Sequence, residues 1–113
     1  MLSIDHVQIA APSGCEAAAR TFFVDLLGLT QLPKQGETAA SGGAWFSTGT
    51  VQLHVGVTTD FTPAGKAHVA LRTATPDHLH ALAAVLSHAG HPVRWDTRLP
   101  GILRFFTADP WGN

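Results

Sequence analysis

Imidazole and amide side chains recur at matched places in the two halves of this chain. Asp5-His6-Val7-Gln8-Ile9 and Ala67-His68-Val69-Ala70-Leu71 each carry a His-Val pair within a short alternating run, and a third run, Val51-Gln52-Leu53-His54-Val55, interleaves Gln52 and His54 with apolar residues. Alternate side chains of an extended strand share a face. His6 with Gln8, Gln52 with His54, and His68 with Arg72 therefore form three polar rows, each opposed by an apolar row on the other face. Neutral imidazole is a common ligand for divalent ions, and donors on rigid neighbouring strands are held with little ordering cost. If the strands curl together, His6 and His68 meet one cation or one small polar molecule. The plainer alternative for each His is an interior or rim residue satisfied by hydrogen bonds. Seven His in 113 residues are the main hint of chemistry in the composition.

The elements that must position these rows repeat as well. Leu2 to Ala10 reads as a strand ended by Pro12, and Ser13-Gly14-Cys15-Glu16 fits a capping box opening a helix that runs to about Leu27, where Gly28 stops it. Thr30 to Leu32 is a short strand. A loop rich in Gly, Ala and Ser follows over residues 34 to 43 and reads as a mobile cover for a site. Ala44 to Ser47 and Val51 to Val57 form a hairpin pair whose Val51, Leu53 and Val55 should meet the helix.

After a connection over 58 to 65, the pattern starts again. Lys66 to Thr73 alternates as a strand, and Thr75-Pro76 opens a second helix with Leu79, Leu82, Ala83 and Leu86 as its apolar stripe. Gly90 ends it, Val93 to Asp96 and Ile102 to Thr107 are strands, and Asp109-Pro110-Trp111-Gly112-Asn113 is a turn. No counterpart of Val51 to Val57 follows in the second copy, so repeat logic predicts a last strand beyond Asn113. The expected fold is α+β: one domain over 1–113, with module one at about 1–57 and module two at about 66–113. Each module is βαβββ, and together they form a curled, mixed but mainly antiparallel sheet cup with one helix per module outside.

Composition narrows the function classes. Apolar residues make up 45% and charged residues 13%, with a formal net charge of −1, which gives no electrostatic reason to expect nucleic acid or a membrane surface as partner. Basic residues are scattered along the sequence. The lone Cys15 forms no internal disulfide, no secretory leader is recognisable, and a cytoplasmic location is the expectation. Cys15, in the first helical turn, could be an activated thiol, but no base accompanies it. His78, His80, His88 and His91 read as a solvated helix face. Trp45, Trp95, Phe105 and Phe106 suit either core packing or the lining of the cup, and Arg72 suits a rim salt bridge or an anionic substrate. No glycine pattern cradles a phosphate.

Three segments together resemble the vicinal oxygen chelate superfamily of glyoxalase I, bleomycin- and fosfomycin-resistance proteins and extradiol dioxygenases. They are Ile4-Asp5-His6-Val7, Phe22-Phe23-Val24-Asp25-Leu26-Leu27-Gly28-Leu29, and Asp109-Pro110-Trp111-Gly112-Asn113. The resemblance covers nearly the whole chain. It implies that His6 and His68 hold a divalent ion (Zn, Ni, Fe or Mn), with a further ligand at Gln52 or His54. We expect His54, although counting from Gly49 falls on Leu53. The family's usual Glu ligand, shortly after the turn, has no position in this sequence.

The functional expectation is a glyoxalase-like, metal-dependent enzyme. Its ion would chelate two oxygens of a small substrate and stabilise an enolate or oxyanion. Metal ligands would be His6, His68 and His54, and substrate contacts Gln52, Trp45, Trp95 and Arg72; no catalytic base is identifiable, because no carboxylate falls on the polar phase of a ligand-bearing strand. The alternative is a metal-free small-molecule binder of the bleomycin-resistance type. A homodimer is expected from the open strand edge beside Phe105 and Phe106.

Overall fold

A computed structural model describes residues 1–34, 36 and 41–113 of the chain. Half of the loop expected over 34 to 43, including Glu37, lies outside the described residues.

Strand β1 (His6–Ala11) leads into helix α1 (Glu16–Arg20), which passes directly into a π-helical segment (Thr21–Leu26). The wider turn is visible where the Leu27 amide donates to the Phe22 carbonyl at 3.0 Å, a five-residue step. Helix α1 starts at Cys15 as its cap with no side-chain hydrogen bond, so the expected Ser13–Glu16 box does not form. Gly14, at φ +81°, turns the chain sharply enough to bury Cys15 in the core. Gly28 ends the helical run at φ +80°, a conformation in which a side chain would be strained.

β2 (Thr30–Leu32), β3 (Ala44–Ser47) and β4 (Gln52–Val57) complete a four-stranded sheet in the order β1-β4-β3-β2. β4 lies between β1, which it joins in parallel, and β3, which it joins antiparallel. Its alternation decides which face is which. Leu53 and Val55 are buried on the helix side with Phe46 and Ala44, while Gln52 and His54 point the other way. The core is completed by Ala11, Ala19, Phe22 and Phe23, together with Leu86 from the second helix.

Module two is less built. Helix α2 (Pro76–His88) has the expected cap, with the His78 amide donating to Thr75 Oγ1 at 3.1 Å. β5 (Arg94–Asp96) and β6 (Arg104–Phe106) form a separate two-stranded sheet. Lys66 to Thr73, expected as a strand, carries no strand assignment and has no ladder partner among the described residues. In module one the equivalent strand, β1, is paired with β4, and no described segment plays the part of β4 in module two. The consequence is direct: Val69 and Leu71 are exposed at 41% and 48% although their alternation is intact.

The modules share the core through Leu86, with Val93, Phe105 and Trp111 packed around it. A polar tie joins the end of the turn to the first strand. Buried Asp109 accepts the amides of Trp111 and Asn113 at 3.0 and 2.8 Å, and Asn113 Nδ2 donates both to Asp109 and to the Ala10 carbonyl at 2.8 Å. No helix among the described residues is long and apolar enough to cross a membrane.

Candidate functional site

On the open face of the four-stranded sheet, the ladder places His6 opposite Gln52, Gln8 opposite His54, and His54 opposite Trp45. Because these pairs sit on the face away from the helices, polar and aromatic groups gather there without disturbing the core. The His54 ring lies flat on Trp45, with centroids 4.1 Å apart and planes 6° from parallel, and His6 meets the same indole edge-on at 5.3 Å. Partial burial holds the His54 pKa below its ordinary value; desolvation is the main cause, assisted by His6 and Lys34. His54 is therefore a neutral imidazole near neutral pH.

His6 is oriented by a group that strand phase conceals. Its Nδ1 donates to Asp5 Oδ2 at 2.8 Å, which leaves Nε2 free as an acceptor or ligand. Alternation assigns Asp5 to the opposite face, but β1 begins at His6, so Asp5 lies just before the strand and its carboxylate can turn towards the ring. The signal available in the sequence was the adjacent Asp-His pair itself. His68 is treated alike, with Nδ1 donating to the Lys66 carbonyl at 3.0 Å.

The other expected residues fall in different places. His68 meets Phe106 edge-on at 5.6 Å, a counterpart of the His6–Trp45 contact. Trp95 is not with Trp45: it pairs with Phe105 on the helix-facing side of β5 and β6 and packs on His80 of α2 at 5.0 Å. Arg72 is exposed and makes no ion pair among the described residues. His91 is structural, donating from Nδ1 to the Ala108 carbonyl and packing on Phe22. Burial and neighbouring Glu16 raise the Cys15 thiol pKa, so it is no activated nucleophile.

A divalent ion finds only part of a donor set here. The tied Nδ1 atoms of His6 and His68 match the way metal-bound imidazoles are oriented. Among the described residues, however, no three His, Cys, Asp or Glu side chains are grouped so as to share an ion. The residues present therefore do not fit a complete metal centre.

Comparison with solved structures agrees with the fold. A protein from Bacillus anthracis assigned to the glyoxalase family is 39% identical over all of this chain and 90% of that one, with a TM-score of 0.90. A lactoylglutathione lyase from Agrobacterium tumefaciens (19% identity, 98% and 88% coverage, TM-score 0.68) and an antibiotic-binding protein from a Streptomyces species (24%, 100% and 93%, TM-score 0.66) share the fold. No protein-family model and no curated protein matches the chain. The identity to the Bacillus protein over the whole chain makes the assignment: this chain belongs to the glyoxalase family.

Proposed function

We propose that the chain binds a small organic molecule on the open face of β1, β4 and β3, using the His6–Trp45–His54 cluster as an aromatic platform and Gln8 and Gln52 as hydrogen-bonding neighbours. The observation that carries this reading is the flat stacking of His54 on Trp45 with His6 edge-on. It fixes three rings, and desolvation lowers the pKa of His54, which suits contact with an apolar or aromatic surface. The Streptomyces protein of the same fold is an antibiotic binder, which makes capture of a small molecule the natural first test. Saturation-transfer NMR with indole and 2-naphthol as neutral probes should show contact in the wild type and lose it in Trp45→Ala. Equal transfer in both proteins would refute the platform.

A second reading, metal-dependent catalysis with His6, His68 and His54 as ligands, is favoured by one observation, the Nδ1 bonds that free both Nε2 atoms. Thermal melting with Zn²⁺, Ni²⁺ or a chelator separates the two. A melting point that responds to metal in the wild type and not in His6→Ala supports the second reading; indifference supports the first.

A further inference from the structure

The open face of the β5–β6 sheet carries guanidinium groups where the module-one face carries packed aromatic and imidazole rings. Arg94 lies directly opposite Phe106, and Arg104 shares its side of β6. The Arg94 guanidinium carbon sits 4.6 Å from the Phe106 centroid, that of Arg104 5.3 Å from it, and the His68 ring 5.6 Å away edge-on. Asp96 is fully engaged: one oxygen accepts Arg98 Nε at 2.6 Å, and the other accepts Arg104 through Nε at 2.8 Å and a terminal nitrogen at 2.5 Å. Two guanidinium groups thus share one carboxylate, and Arg94 has neither an ion pair nor a side-chain hydrogen bond among the described residues. A guanidinium lying on an aromatic ring keeps its N–H fork available at the edge, a geometry matched to two oxygens of an anion.

We propose that Arg94, with Arg104 set in place by Asp96, binds the oxyanion group, carboxylate or phosphate, of a small organic ligand above Phe106. The proposal rests on the small-molecule reading above and narrows its ligand to an anionic class. Spectra of the five Arg Nε–H groups, recorded at constant ionic strength with inorganic phosphate and separately with benzoate, test it. The expected result is a saturable shift of the Arg94 and Arg104 signals with at least one probe, Arg20 staying still, and at least tenfold weaker binding in Arg94→Gln. Phosphate alone saturating assigns a phosphoryl ligand, and benzoate alone a carboxylate. Linear drift of all five signals, or binding unchanged in Arg94→Gln, overturns the proposal. Arg94 is exposed and its contact with Phe106 lies outside the hydrophobic core, so the variant should fold. Indole reports separately on the Trp45 face: if indole fails while phosphate still saturates, the aromatic platform falls and the anion site stands.

Discussion

Module one and module two carry the same alternating strand, and the structure uses it in opposite ways. Val7 and Ile9 of β1 pack against the core because β4 holds β1 to β3, whereas Val69 and Leu71 stay exposed in a segment with no strand beside it among the described residues. Alternation specifies which face would be buried, but only a neighbouring strand closes the ladder and fixes the face against a helix. The contrast extends to chemistry. Where β4 is present, His54 is pressed onto Trp45 and desolvated; on the β5–β6 sheet, the equivalent aromatic, Phe106, is flanked by charged Arg94 and Arg104.

The largest difference should appear in stability. Phe46→Ala removes a fully buried ring that Phe23 contacts at 5.1 Å and should cost about 3–5 kcal/mol in urea denaturation. Val69→Ala or Leu71→Ala should stay within about 0.5 kcal/mol of wild type; a loss at Leu71 as large as at Phe46 would mean that the segment is packed in solution. Hydrogen exchange sharpens the same point: β4 amides should be protected and those of Lys66 to Thr73 should exchange rapidly.

Smaller effects follow from single groups. Thr75→Ala should cost about 1 kcal/mol by freeing the His78 amide, measured by thermal melting. Asp96 has its pKa lowered, chiefly by the Arg98 hydrogen bond, with burial opposing and Arg104 assisting. Its stabilisation is present above its ordinary 3.8 and is lost as pH falls through the lowered folded value, so acid melting of Asp96→Asn should lack that component. His54 gives the same sign in a higher window. Its folded pKa lies below 6.5, so stability falls as pH drops from about that value and levels off below the folded pKa. His54→Gln should flatten this part of the pH–stability profile.

Much of module one is legible in the sequence. In β4 the apolar and polar sets alternate without exception from Gln52 to Val55, so His54 was placed on the open face, and Leu53, where repeat counting pointed, inside. The turn glycines and the Thr75 cap are local devices, and local devices read well. Ser13 failed because the helix entry is decided by burial of Cys15, a tertiary contact. Trp95 and Phe105 could not be separated from Trp45 and Phe106, since aromatic residues sit on both faces of β5 and β6 and hydrophobicity does not distinguish them. Asp5 was hidden by its position just outside the strand, and the Arg94–Phe106–Arg104 group by a register that joins residues about ten positions apart through the hairpin. Basic residues scattered in sequence are gathered in space.

The seven His rings are separate reporters spread over both modules, so their ring C–H spectrum during an indole titration tests the module-one platform most directly. Saturable shifts at His54 and His6, with His78, His80 and His88 of α2 unmoved and the response lost in Trp45→Ala, are the predicted result. Shifts confined to the α2 histidines, or a response at His54 that survives Trp45→Ala unchanged, would contradict it.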